Sequence, residues 1–365
     1  MAYTCDTAKR ATPGTNDSVI GKFFKRIFGG RRNARRAPEA GYALRETHVA
    51  IPEIDKPAAN AMAPDEIEHR FYRLILGIDE AREPTLSGAE QAALKRMREA
   101  FGGDRFDVAQ LPRLPSVVPQ LLRSLRNDDA DSKRLAEQIA RDTVLVGEII
   151  RVANTAYFRT TRPVSSLPQA IVLIGQDGLR RVVMQLVMRP ILHFETRHSG
   201  NLTGELLWQH AERCAHACIY LGKGTCDPFE AYLAGLVSHT GAQAAIMALE
   251  TYADLGGQPA SRPFVAAVAQ QIERLSLHAA RHWVFPSRVV QALAERADPA
   301  DAGAQTPLGR SLLASSRLAM LDVLIEQGVV DADTTLLAVP QQRISQEQLL
   351  RCQEDLRAAF SPVEA

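Results

Sequence analysis

Asp142-Thr-Val-Leu-Val-Gly-Glu-Ile-Ile-Arg-Val-Ala-Asn154 is the stretch on which the fold class turns. Asp142 is a helix-capping residue type just ahead of Leu145 and Ile149, which are four residues apart and so share one helical face. The same period continues on both sides. Upstream, Val117 to Leu125 and Ser132 to Arg141 read as helices, the second with Asp131 or Ser132 ahead of Leu135 and Ile139. Downstream, Ser166 to Ile174 carries Pro168 in its first turn and ends at Gly175, and Asp177 to Arg189 is expected to stop at Pro190. Nearer the N-terminus, Ile67, Phe71, Leu74, Ile75 and Ile78 form one stripe. Glu90, Ala93, Leu94, Met97, Ala100 and Phe101 suggest a second helix after the turn Pro84 to Gly88. No run of alternating strand pattern has comparable strength. The expected fold is therefore all-α, a multi-helix bundle packed by ridges and grooves, with an N-terminal helical extension.

A chain of 365 residues with 46% hydrophobic side chains buries one large core or two ordinary ones. Its formal net charge of +1 supplies no global field for a polyanion, so any basic attraction is local. The five cysteines, Cys5, Cys214, Cys218, Cys226 and Cys352, are odd in number and dispersed. Without a secretory leader they point to reduced thiols and a cytoplasmic location. No apolar run reaches the ~20 residues of a membrane-spanning helix.

The first sixty residues differ in character. Met1 to Asp17 is polar and turn-rich, and Ala37 to Ala63 scatters prolines without a sustained period, so residues 1–64 read as a mostly disordered arm. Within it, residues 18–30 read as an amphipathic helix. Val19, Ile20, Phe23, Phe24, Ile27 and Phe28 fall at helical spacing, with Lys22, Lys25 and Arg26 on the other side. Arg31, Arg32, Arg35 and Arg36 follow without an acidic residue among them. An apolar face beside a polybasic run suits the interface of an anionic membrane, giving a peripheral, reversible tether at the inner membrane through Phe23, Phe24, Lys22, Lys25, Arg26, Arg31 and Arg32. A helix packed on the protein's own body, or a basic linker, is the competing reading.

Leu111-Pro-Arg-Leu-Pro115, Ile150-Arg-Val-Ala-Asn-Thr-Ala-Tyr157 and Pro163-Val-Ser-Ser-Leu-Pro-Gln-Ala-Ile-Val-Leu-Ile-Gly175 follow one another in order. Trp208-Gln-His210, Ala231-Tyr-Leu-Ala-Gly-Leu236 and Trp283-Val-Phe-Pro286 continue the series. In this order and spacing the chain resembles the HDOD family, the HD-related output domain, over residues 106–300. Residues 65–105 then read as a helical hairpin ahead of it and 301–365 as its C-terminal helical continuation. The resemblance implies an all-α bacterial signalling module related to HD phosphohydrolases, used for regulation through protein contacts.

It also implies where a metal would sit. In the HD pattern a histidine on an earlier helix joins an adjacent His-Asp pair and a later aspartate. His210 takes the earlier place and His239 the first place of the pair, but Thr240 stands where the pair's carboxylate belongs. A carboxylate neutralises a dication, whereas a threonine hydroxyl is neutral and a poor ligand. On the helix after Pro286, where related chains often carry a histidine pair, Arg296-Ala297 stands instead, and an arginine repels a cation. His210, His239 and Thr240 are thus expected to form a degenerate HD pocket with no catalytic residue, no metal and no cofactor.

Other constellations are weaker. His210, Cys214 and Cys218 share a helical stripe suited either to zinc or to close packing, and packing is the stronger reading for buried cysteines. His278 and His282 stand four apart without the glutamate of a zinc protease, and neither a phosphate-binding Gly-x-x-x-x-Gly-Lys turn nor a Gly-x-Ser-x-Gly elbow is present. Asn154, Tyr157 and Arg162, with Arg159, Arg180 and Arg181 as a rim, could hold a nucleotide, but Asn154 reads better as a helix cap. The expected function is a non-catalytic regulator with a protein partner in a signalling pathway: a kinase, a response regulator or a cyclic-dinucleotide enzyme. The alternative is a divergent metal-dependent phosphohydrolase of a nucleotide or cyclic dinucleotide. Nucleic-acid binding through the basic arm ranks third, because the net charge is balanced.

Overall fold

The computed structural model describes residues 60–78, 84–101, 118, 136–137, 139–155, 162–196, 200–253, 261–298, 305–339 and 343–360. The basic helix expected at 18–30, the Leu111–Pro115 motif, and most of Val117 to Leu125 and Ser132 to Arg141 lie outside these residues.

Strand β1 (Ala61–Met62) leads into helix α1 (Pro64–Leu76). Pro64 opens the helix, where its missing N–H has no intrahelical partner to lose. Gly77 closes it at φ 62, the left-handed conformation that returns the Gly77 and Ile78 N–H groups to Leu74 O and Arg73 O. Ile67, Phe71 and Ile75 are buried, with Leu74 and Ile78 packed at their edge. Helix α2 (Gly88–Phe101) starts from a capping box: Ser87 N–H donates to Glu90 Oε2 at 2.7 Å, and Glu90 N–H to Ser87 Oγ at 3.2 Å. The other Glu90 oxygen accepts from Ser261 N–H at 3.0 Å, so this buried acid is satisfied on both sides.

Helix α3 (Thr143–Ala153) begins as expected, with Asp142 Oδ1 accepting from Val144 and Leu145 N–H at 3.0 and 3.1 Å. Asn154 caps its end and ties in the following loop. Its side-chain amide donates to Ile150 O and Val164 O at 3.0 and 2.7 Å, while its Oδ1 accepts from Val164 N–H at 2.7 Å. Helix α4 (Leu167–Ile174) stops at Gly175, φ 74. Helix α5 (Gln176–Leu192) does not stop at Pro190, which lies inside it. Proline in a helix interior costs about 3 kcal/mol, but Ile191 and Leu192 are only 5% and 1% exposed, and burying two such side chains offsets that at about 1.5–3 kcal/mol each.

The later elements are α6 (Leu202–Leu221), α7 (Pro228–Val237), α8 (Ala242–Ala253), α9 (Arg262–His282), α10 (Ser287–Ala297), α11 (Pro307–Glu326), strand β2 (Thr335–Leu336) and α12 (Gln346–Phe360). Helix α6 is the axis of the molecule, flanked by α7 and α11, and it feeds both hydrophobic clusters. One cluster gathers Trp208, Leu233, Leu236 and Trp283 with α3 to α5. The other joins α1, α2, α8, α9, α11 and α12. Gly235 sets the α6–α7 distance, because a Cβ there would come 2.6 Å from Ala215 Cα. Across α6 and α11, buried Arg213 donates to Asp322 at 2.6 Å and pairs with Glu326. Among the described residues the sheet is limited to β1 and β2, parallel with Ala61 opposite Thr335, too short to register as an alternating pattern. No described helix is long and apolar enough to cross a membrane.

Candidate functional site

Between α7 and α8 the chain turns through Ser238, His239, Thr240 and Gly241. The turn is pressed against α9: Gly241 N–H donates to Ser276 Oγ at 2.9 Å, and a Cβ on Gly241 would stand 2.5 Å from Leu275 Cβ and Ser276 N. Only glycine fits that approach. The turn thereby delivers His239 to the middle of α6, where its ring meets His210 edge-on with centroids 4.1 Å apart. Both imidazoles are fully buried, and Phe71 of α1 lies 5.1 Å from the His210 ring.

The hydrogen bonds fix the protonation of each ring. His210 Nε2 lies 3.2 Å from the Ser316 carbonyl of α11, which only accepts, so Nε2 carries the proton. His210 Nδ1 is left as a buried atom without a partner. His239 Nε2 faces Arg296 Nη2 at 3.1 Å and Tyr72 Oη at 3.0 Å. A guanidinium only donates, so this Nε2 is a lone pair. The His239 proton is then on Nδ1, 3.1 Å from Ser238 Oγ, whose own hydroxyl donates to Gly235 O at 2.9 Å.

Arg296, on α10, binds this cluster together. Its Nε donates to Glu273 Oε1 of α9 at 3.1 Å, its Nη2 also reaches Tyr72 Oη at 3.4 Å, and its Nη1 approaches Ser238 O at 3.5 Å. Burial pushes the His210 imidazole down to about 3, and the Arg296 charge adds to the effect. Burial, then His210, then Arg296 hold His239 well below its ordinary value. Both rings are neutral at physiological pH. Burial raises the Glu273 carboxyl to about 7 against the pull of Arg296. Burial opposes the charge on Arg296 itself, but Glu273 together with Tyr72, Cys214 and Glu68 outweighs it and holds the guanidinium above its ordinary value.

The histidines named from the sequence, His210 and His239, are brought together. Thr240 lies beside them, buried, but its hydroxyl donates to Val237 O at 3.0 Å, back onto the end of its own helix. The residues present do not fit a divalent metal. His210 Nδ1 is the one imidazole lone pair left free, the His239 lone pair is taken by a guanidinium, and a hydroxyl stands where a carboxylate would be needed, so a single nitrogen cannot hold the ion. Among the described residues, no group of three or more His, Cys, Asp and Glu side chains is placed to hold a metal ion. Cys214 and Cys218 are buried in the α6 packing, with Cys214 Sγ 3.9 Å from Ser238 Oγ. Tyr157 and Arg159, and the arm residues Lys22, Phe23, Phe24, Lys25, Arg26, Arg31 and Arg32, lie outside the described residues.

Tyr72, Glu273 and Ser316 were not legible as site residues. Tyr72 carries a faint signal as a hydroxyl on the apolar face of α1 beside Phe71. Glu273 and Ser316 carry none, because each is one polar residue on a long helix.

The model of the HDOD domain family matches residues 111–299. Of curated proteins, an uncharacterized protein of Treponema pallidum (strain Nichols) is 24% identical over 230 residues, 60% of this chain and 43% of that protein, so the match spans less than half of the relative. Of solved structures, one from Shewanella amazonensis SB2B, provisionally named a metal-dependent phosphohydrolase, is 19% identical with TM-score 0.49, covering 75% of this chain and 100% of that one. An HDOD domain protein of unknown function from Geobacter sulfurreducens is 16% identical with TM-score 0.48, covering 74% and 99%. The interval matched by the family model carries α3 to α10, the helices and turns that hold His210, His239 and Arg296, and this chain belongs to the HDOD domain family.

Proposed function

We propose that this protein is a non-catalytic bacterial signalling regulator that acts through protein contacts from the cytoplasm. The observation that carries the reading is the 3.1 Å contact between Arg296 Nη2 and His239 Nε2. A permanent, non-ligating cation occupies the lone pair that a metal would need, and its charge repels a second cation from the same pocket. Metal-dependent hydrolysis therefore has neither its ligands nor its electrostatics. The protein-contact half draws support from Val144 and Val172, on the adjoining helices α3 and α4, which are 72% and 85% exposed. Apolar side chains so exposed on neighbouring helices suit a helical partner surface.

The test is an assay of the purified full chain with added Mn²⁺ against bis(p-nitrophenyl) phosphate and a cyclic dinucleotide, beside elemental analysis. No turnover and no stoichiometric metal are expected, in wild type and in Thr240→Asp alike, because Arg296 still holds His239 in the variant. One tightly bound metal per chain with turnover would refute the reading and restore the phosphohydrolase alternative.

A further inference from the structure

Beside the buried cluster an open groove of about 1090 Å³ runs between α1, α9, α10 and α11, and Tyr72, Glu273 and Arg296 belong to its lining. That volume lies at the upper end of small-molecule sites. Its charges do not balance. Five arginines line the groove against three carboxylates.

Three of the arginines are matched within the molecule. Arg262 pairs with Asp65 at 3.4 Å and with Glu66 at 2.8 Å, Arg317 with Glu68 at 2.7 Å, and Arg296 with Glu273 at 3.1 Å. The other two have no carboxylate among the described residues. Arg310 donates only to the Gln305 carbonyl, at 2.6 Å, and Arg343 is exposed at the rim with its backbone in the left-handed region, φ 54. A left-handed non-glycine residue is strained and is commonly held at sites where a side chain must be presented. Arg310 thus adds positive charge within a cleft whose walls focus the field, and Arg343 adds it at the rim. Arginine forks match the oxygens of a phosphate, and two of them free of carboxylates leave donors for an incoming anion.

We infer that the groove binds a small phosphate-bearing anion, held by Arg310 and Arg343 above the Arg296 floor, and that the molecule is bound rather than hydrolysed. The non-hydrolytic part rests on the proposed function. The binding part stands on the groove's own charges.

Inorganic pyrophosphate, titrated calorimetrically into the full chain at low salt, is the probe. Saturable binding at one site per chain is expected, weakened about tenfold in Arg343→Gln, the loss of one charge-assisted contact, and further in Arg310→Gln/Arg343→Gln. Arg343→Gln alone keeps the test valid if the double variant does not fold, since the Arg343 side chain is exposed. No saturable binding, or equal binding by wild type and Arg343→Gln, overturns the inference. The second result would place the anion elsewhere, such as on the basic arm. Release of orthophosphate with binding intact would overturn the non-catalytic reading and leave the groove assignment standing.

Discussion

Arg296 Nη2 lies 3.1 Å from His239 Nε2, so the cation that meets this imidazole belongs to the polypeptide itself. The two residues are 57 positions apart and come from a turn and a helix that both rest on α9. Glu273 on that helix neutralises the guanidinium, and neutral His239, a tyrosine and a serine carbonyl take up its other donors. With these residues the pocket is a buried ion pair with polar neighbours.

Arg296→Met should destabilise the fold by about 3 kcal/mol, the lower end for breaking a buried pair, because Glu273 keeps 19% of its side chain exposed. Most of that loss reflects the stranded carboxylate. The double variant Arg296→Met/Glu273→Met should therefore recover the larger part of it in urea denaturation. Additive losses would show that the two residues are not coupled.

Stability should fall as pH is lowered below about 6.5. His210, at about 3 in the fold, and His239, also well below its ordinary 6.5, contribute stability that is present above pH 6.5 and lost as pH falls. Glu273, raised from 4.5 to about 7, works the other way, its contribution being lost as pH rises through 7. Two imidazoles oppose one carboxyl between pH 4.5 and 6.5, so acidification wins as the destabilising direction. Urea midpoints measured from pH 8 to 5 check this, and His210→Asn, which retains a donor for Ser316, should flatten the slope. A midpoint that rises as the pH falls from 6.5 to 5 would contradict the assignment of neutral rings.

Val284→Gly should stabilise the protein by about 0.5–1 kcal/mol. Val284 sits at φ 57 just past the end of α9, where its N–H returns to Arg281 O and the Phe285 N–H to Ala280 O. That is a glycine position occupied by a β-branched residue whose side chain is 77% exposed. The left-handed conformation costs about 1–2 kcal/mol for an L-residue, and glycine's extra unfolded-state entropy cancels about 0.5–1 kcal/mol of the gain. A lowered melting temperature would mean that the valine side chain makes a contact that outweighs its strain.

The basic arm is proposed as a reversible anchor for anionic membranes. Vesicle binding should require anionic lipid and weaken as salt screens Lys22, Lys25, Arg26, Arg31, Arg32, Arg35 and Arg36. Phe23→Ser/Phe24→Ser leaves that charge intact and should abolish binding, because insertion needs the apolar face. Binding of the double variant equal to wild type would reduce the arm to a polybasic linker.

The sequence alone determined what depends on neighbours a few residues apart. The stripe Ile67, Phe71 and Ile75, the Asp142 cap, the Asn154 closure and the Gly175 stop were all legible, because helix period and capping are set within about one turn. So was the absence of a carboxylate at Thr240. Packing decided the rest. Pro190 reads as a stop in isolation, and only the burial of Ile191 and Leu192 carries α5 past it. Arg296 was legible as a residue unable to bind metal, but not as the donor to His239. Tyr72 and His239 are 167 positions apart, and nothing local to either announces the other. Their contact exists because α1 docks against α9 and α11, and Gly241 lets the His239 turn approach α9 backbone to backbone. Such contacts depend on where whole helices come to rest, which no local spacing encodes.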